Sequence, residues 1–263
     1  MSRLSTTSEY NGSSWSAGGS LGAASNCKAL TGTQTDALLF GRGTDSANPT
    51  NTTEKYDGSS WSSSANMVNA KRGGTGASAA SAIFTCGDND TTNQLWNNTS
   101  WSTSVECTHN LSSGSESGTT TDAIVAGMVD QSASAETDKC QTLDGTTWSN
   151  SAVVTLPAAR YGGGWGSGST EHWHYGGINY NSSYGSPTPH TCLRTTVRWD
   201  GSSWSTDTDA PSAGGTSGGL YNGSYAMATV ANSGTQGAVY HAGANYTAPD
   251  THTNQEYTWE ATW

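Results

Sequence analysis

His172 and His174 stand two residues apart in Glu171-His172-Trp173-His174-Tyr175. On a strand, alternate residues share a face, so both imidazoles point to one side. With His190 or Cys192 they could complete a tetrahedral transition-metal site. The alternative is that both are polar residues held inside a sheet. Asp88-Asn89-Asp90 offers oxygen ligands for Ca²⁺ but lacks the length and the closing Glu of a dedicated loop, and a solvated turn is the other reading. Gly18-Gly19-Ser20-Leu21-Gly22 and Gly215-Thr216-Ser217-Gly218-Gly219 both spell G-x-S-x-G. A nucleophile elbow needs a strand before the Ser and a helix after it, and neither context is present. Gly74-Thr75-Gly76 has no βαβ unit around it, so it is no dinucleotide fingerprint. Glycoside hydrolysis needs two carboxyl groups across a cleft. Most Asp residues here sit in turn sequences, and Glu171 is a lone acid beside aromatics. The expectation is a protein without catalytic residues, metal or cofactor.

Aromatic residues are the stronger lead. Trp165, Trp173, Tyr175, Tyr180 and Tyr184 gather within one stretch, with His190 close behind. An exposed aromatic face beside hydroxyls and amides suits a sugar ring, which presents C–H patches and OH groups. Trp165, Trp173, Tyr180, Tyr184 and His190 are therefore the candidate ligand-binding residues. For Trp165 and Trp173 the competing reading is packing between neighbouring sheets.

The elements that would position them come from one repeated phrase. Tyr10-Asn11-Gly12-Ser13-Ser14-Trp15 recurs as 56–61, 96–101, 143–148 and 199–204, and a worn copy closes the chain at 259–263. Asn-Gly and Asp-Gly are strong hairpin signals, because a type I′ turn needs positive φ at both central residues. The closing Trp falls at 15, 61, 101, 148, 204 and 263, spacings of 40 to 59 residues. Such spacings fit one four-stranded blade per repeat. Between phrases lie a small-residue strand, within 73–81 and 160–167 for example, and a short apolar strand. The apolar strands begin at Ala37, Ala82, Ala123, His172 and Ala238. Two connections are long: 178–192, rich in Tyr, and 211–224, rich in Gly. Insertions on one face of a repeat protein often form its binding surface; the alternative is a tolerated surface loop.

Composition narrows the function classes. The chain has 263 residues, a net charge of −11 and only 12% charged residues. Leu, Ile, Val and Phe together make up about a tenth, a level that ordinarily signals disorder. Disorder also requires few aromatics, and this chain has 11 Trp and 11 Tyr at regular places. The ten Lys and Arg residues are scattered, which excludes a phosphate-binding surface and hence nucleic acid. No stretch is apolar enough to insert in a membrane as a helix, and the first residues carry no secretory h-region. The five cysteines are widely spaced, an odd count that leaves at least one thiol unpaired within the chain. They read best as small buried hydrophobes.

With these motifs in place, the sequence resembles the kelch-type β-propeller. Arg72 and Arg160 match the Arg before that family's inner strand, and Gly176-Gly177 matches its Gly pair. Tyr10, Tyr56, Trp96 and Trp199 match the third-strand aromatic. Trp15, Trp61, Trp101, Trp148 and Trp204 match the fourth-strand Trp. Glu54 to Trp61, with its Asn/Thr-rich links, is more specifically similar to the degenerate kelch-like repeats of bacteriophage tail and virion proteins. The family includes copper oxidases, whose ligand set has no counterpart here.

The resemblance implies an all-β fold, a single propeller over residues 1–263 with five four-stranded blades, six being the alternative. The N-terminal hairpin, residues 8–16, would close the ring or be surplus to it. The implied function is a virion structural or host-recognition propeller, displayed at the virion surface or otherwise outside the cell. Its partners would be other virion proteins or further copies of itself, and a glycan or host-surface polymer. A lectin-like module of an extracellular assembly is the alternative, and an enzyme on a propeller the third reading.

Overall fold

The computed structural model describes residues 5–11, 13–24, 29–41, 50–71, 75–84, 91–109, 111–112, 115–130, 135–150, 155–159, 164–175, 178–179, 191–192, 195–207, 238–244 and 252–258. Every regular element among them is a β-strand. Four meandering antiparallel sheets follow one another along the chain. The first comprises Ala29–Gly32, Ala37–Phe40, Glu54–Tyr56 and Trp61–Ser63. The second comprises Thr75–Ser78, Ser81–Phe84, Asn93–Trp96 and Trp101–Ser104. In the third, Ser115–Gly118 and the short Leu111–Ser112 both pair with Ala123–Asp130, and Ala135–Leu143 and Trp148–Asn150 follow. The fourth comprises Gly164–Gly168, Glu171–Tyr175, Thr196–Trp199 and Trp204–Thr206.

A two-stranded hairpin, Ser8–Tyr10 with Trp15–Ala17, precedes the first sheet. Another, Ala238–Ala244 with His252–Thr258, comes after the fourth. The first strands of successive sheets lie side by side, 29–32 beside 75–78, then 115–118, then 164–168. Gly, Ala, Ser and Thr supply most of these four strands, and small side chains are what such close backbone approach requires.

The repeated phrase builds the outer hairpin of each sheet. Its two end residues pair directly: Tyr10 with Trp15, Tyr56 with Trp61, Trp96 with Trp101, Leu143 with Trp148 and Trp199 with Trp204. Four residues therefore form each loop, not the two of a type I′ turn. Only the second of the four takes positive φ: Gly58 at 92°, Gly145 at 89°, Gly201 at 91° and Asn98 at 76°. The first residue works through its side chain. Asp57 Oδ1 accepts the backbone N–H of Ser59 at 2.9 Å and of Ser60 at 2.8 Å, an Asx turn that replaces a second left-handed residue.

Each glycine also packs under the turn joining its sheet's first two strands. A Cβ on Gly145 would lie 3.1 Å from the Thr121 carbonyl oxygen, and one on Gly58 would lie 3.3 Å from Thr35 Cα. Gly145→Ala combines this crowding with the left-handed penalty and should cost about 1–2 kcal/mol. Gly145→Asn should cost less, since Asn tolerates positive φ and Asn98 already does so here. Paired thermal melts test this order; equal stability of all three proteins would show that the loop is not under this constraint.

The core runs through the seams between sheets. Ala29, Leu38 and Phe40 of the first sheet pack on Ala82, Trp96 and Trp101 of the second. Ile83 of the second and the Cys107 that follows it meet Ala123, Val125, Leu143 and Trp148 of the third. Ala126 and Cys140 of the third meet Val197 of the fourth, with Trp204 against them. Thus the closing Trp of one sheet reaches back onto the sheet before it. Burial is uneven: Trp101 and Trp148 are buried, Trp61 and Trp204 are half-buried, and Trp15 is exposed. Among the described closing Trp residues, Trp101 and Trp148 are thus core residues, whereas Trp61, Trp204 and Trp15 keep part of the ring at the surface.

Buried amides lace the links to the sheets. Gln141 Oε1 accepts the N–H of Thr108 at 2.8 Å and of His109 at 3.1 Å, and its Nε2 donates to the His109 carbonyl at 3.4 Å. Gln94 does the same for Asn69, accepting at 3.1 Å and donating at 3.2 Å. These bonds satisfy link backbone groups that no strand pairs with. Cys107 and Cys140 are buried thiols outside any disulfide, and burial pushes the Cys140 thiol up to about 12. The Cys140 thiol therefore stays protonated at neutral pH and is no nucleophile.

Candidate functional site

The fourth sheet carries the residues singled out in the sequence. Trp173 pairs with Trp165 on one side and Arg198 on the other. The register makes Trp173 the counterpart of Leu38, Ile83 and Ile124, each opposite the residue just before the first residue of the repeated phrase (Tyr56, Trp96, Leu143 and Trp199). Those three are fully buried, and Trp173 is 4% exposed. The Arg198 guanidinium lies over its ring, 5.2 Å from the centroid, and is held there by Glu171 at 3.5 Å. A guanidinium over an indole face is a favourable cation–π contact. Trp173 therefore anchors a wall; in this position its ring is not a platform open to solvent.

His172 and His174 share the opposite face, as alternation requires, and that face meets the third sheet. Both are fully buried. Ser117 on the third sheet's first strand lies 2.7 Å from His172 Nδ1, and the Trp204 ring stands edge-on to the imidazole at 6.0 Å. Desolvation lowers the His172 pKa to about 3, so the ring is neutral at physiological pH. A neutral imidazole is the form that binds metal, yet among the described residues no three His, Cys, Asp or Glu side chains converge. His172 is a seam residue between two sheets.

The long connection opens from a two-residue ladder, Ile178–Asn179 paired with Thr191–Cys192. It leaves the fourth sheet between its second and third strands, at the end opposite the Asx-turn hairpins. Residues 180–190, and with them Tyr180, Tyr184 and His190, lie outside the described residues, as do Asp88-Asn89-Asp90, the connection 208–237, Arg72, Arg160 and Gly176-Gly177. The strand of Trp165 is described; its side chain is not. Gly18 to Gly22 lies between the N-terminal hairpin and the first sheet, and Leu21 there is buried.

Arg198, Ser117 and the paired glutamines carry structural roles that the sequence reading did not assign. Arg198 could have been found from its place before Trp199, since Lys55 occupies the same place before Tyr56. Ser117 gives no signal of its own in a chain this rich in Ser.

The chain thus belongs to the class of all-β proteins built from serial, blade-like antiparallel sheets. Among solved structures it is similar to that of YjhT, with a TM-score of 0.66 over 99% of this chain and 96% of that one, at 14% sequence identity. In all, 109 solved chains match, so the likeness identifies a widely used fold and no activity. No protein-family profile matches the chain. No curated protein matches it by sequence.

Proposed function

We propose that the sheets close into a kelch-like propeller, and that this ring is a rigid binding scaffold with recognition at the end bearing the long connections. The observation that carries this is the contrast between the two ends of the sheets. At one end, every turn is short and repeated. The outer loops are four residues each, and the loops joining first to second strands include Thr33 to Asp36 and Thr119 to Asp122, each closed by the same backbone bond at 2.7 Å. At the other end, the connections between second and third strands run from residue 41 to 53, 85 to 92, 131 to 134 and 176 to 195, unequal in length and sequence. Repeated turns serve a scaffold, and unequal loops on a rigid scaffold carry recognition.

The residue types the sequence supplies in the longest of these connections are Tyr180, Tyr184 and His190. Aromatic rings among hydroxyls and amides favour a glycan or a polyhydroxylated surface polymer. Single-site affinity for such ligands is low, and display in many copies raises it by avidity. A virion tail or capsid surface supplies that display, which is why we favour a virion adhesin over an isolated lectin-like module.

The test replaces residues 180–190 by a short Gly-Gly turn, retaining the ladder of 178–179 with 191–192. A multivalent display of the intact protein should bind components of a glycan array or intact host cells. The shortened variant should lose at least about tenfold in avidity while keeping its thermal melt. Retained binding by the shortened variant would move the site elsewhere. Failure of the intact display on glycans and cells alike would leave a structural role.

A further inference from the structure

We propose that Asn11 is a site of spontaneous deamidation, converting to aspartate within the intact fold. Five hairpin loops of this chain begin with Asn11, Asp57, Asn97, Asp144 and Asp200, and all five share one hydrogen-bond pattern. Asn11 Oδ1 accepts the N–H of Ser13 and of Ser14, each at 2.9 Å, and the Ser13 hydroxyl at 2.9 Å. Asp57 Oδ1 accepts Ser59 N at 2.9 Å, Ser60 N at 2.8 Å and Ser59 Oγ at 2.8 Å. Asp144 and Asp200 repeat this on Thr146 and Thr147, and on Ser202 and Ser203. The aspartate product of deamidation at Asn11 is therefore a loop the molecule already contains three times. A carboxylate accepts backbone N–H bonds more strongly than an amide oxygen does.

The chemistry separates the five loops. The peptide nitrogen of the residue after Asn11, a glycine in the sequence, attacks Asn11 Cγ. The new N–Cγ bond closes a succinimide, and the Cγ–Nδ2 bond breaks. Ammonia leaves with the proton that the peptide nitrogen gives up. Water then adds at either ring carbonyl: at Cγ the N–Cγ bond breaks and Asp remains at position 11, at the backbone carbonyl the N–C bond breaks and isoaspartate results, and in both cases the nitrogen regains its proton. A following glycine has no Cβ to hinder this attack. Asn97 is followed by Asn98, which has a Cβ and sits at φ 76°.

The three Asp-Gly loops are protected differently. Loss of a carboxyl oxygen requires the protonated acid, and hydrogen bonds, led by those from the Ser60 and Ser203 backbones, hold Asp57 and Asp200 down at about 2. Asp144 lies lower still for the same reason, its leading donor being the Thr147 backbone. Asn11 is exposed, so water reaches the ring once it forms.

The folded protein, held in mildly alkaline buffer and mapped by peptide mass spectrometry, should accumulate acid at Asn11 while Asn97 stays an amide. Gly12→Ala should slow the conversion several-fold. Asn11→Asp should melt at or above the temperature of the parent. An Asn11 as persistent as Asn97 would overturn the proposal, and so would an Asn11→Asp protein that melts well below the parent.

Discussion

Trp101→Ala should destabilise the protein by about 3–5 kcal/mol, the range for deleting a large buried aromatic. Trp101 is 7% exposed and belongs to two sheets at once. Its ring lies 5.0 Å from Phe40 of the first sheet and 5.5 Å from Trp96 of its own. Its indole Nε1 donates to Thr53 Oγ1, just before the third strand of the first sheet, at 3.0 Å. Truncation opens a cavity in the seam and orphans a buried hydroxyl, and both costs fall on one seam. Trp148→Ala should cost a similar amount, because Trp148 is 5% exposed and packs on Ile83 and Cys107 of the preceding unit.

Trp61→Ala should cost less, in proportion to its half-burial, and Trp15→Ala least, since Trp15 is 45% exposed. Trp101→Phe keeps one aromatic ring but loses the pyrrole half of the indole and its hydrogen bond, so its stability should fall between those of the parent and Trp101→Ala. Urea melts of the five variants check the ranking. Wild-type stability for Trp101→Ala or Trp148→Ala would remove these residues from the core. Equal losses at Trp101 and Trp15 would show that the seams do not carry the fold.

Much of this architecture was legible because aromatic residues recur beside turn residues. In a chain poor in Leu, Ile and Val, Trp must supply much of the buried area, and Trp96, Trp101, Trp148 and Trp199 do so. The turn type was not legible from the Asp-Gly pair alone. That depends on which residues face each other across the hairpin, and the aromatics take the facing positions, leaving four residues to the loop. Gly58 then needs positive φ, while Asp57 serves through its carboxylate.

Polar residues were the harder part. Gln94 and Gln141 read as surface residues, yet both are fully buried because they bond both backbone groups of a link residue. The Gly-Thr-Xaa-Thr-Asp sequences at 32–36 and 118–122 are a second repeat, obscured by the abundance of Thr. They form matching turns with Gly32 at φ 120° and Gly118 at φ 119°. Trp173 could be placed only from register: its sequence neighbours suggest an aromatic cluster, and its cross-strand partner Arg198 shows a seam position.

Acid should loosen the seam between the third and fourth sheets well before the carboxylates titrate. His172 has an ordinary pKa of 6.5 and is held near 3 in the folded chain by desolvation. The unfolded chain therefore binds a proton between those two values that the folded chain refuses. Stability conferred by the neutral ring is fully present above pH 6.5 and drains away as pH falls toward 3. The slope approaches about 1.4 kcal/mol for each pH unit from this one group. Asp57 and Asp200 act lower down: their pKa values are depressed from 3.8 to about 2, so what they contribute is lost only as pH falls through that window. The two windows separate experimentally at about pH 4.5, below the ordinary histidine range and above the aspartate range. Urea melts from neutral pH down to that point should show wild-type stability falling steadily. His172→Asn, which keeps a polar atom toward Ser117 without a titrating proton, starts lower because it leaves a cavity, yet should lose most of the slope. An unchanged slope in His172→Asn would assign the acid sensitivity to other groups. A wild-type protein with no slope there would mean that the Ser117–His172 seam already admits the charged ring.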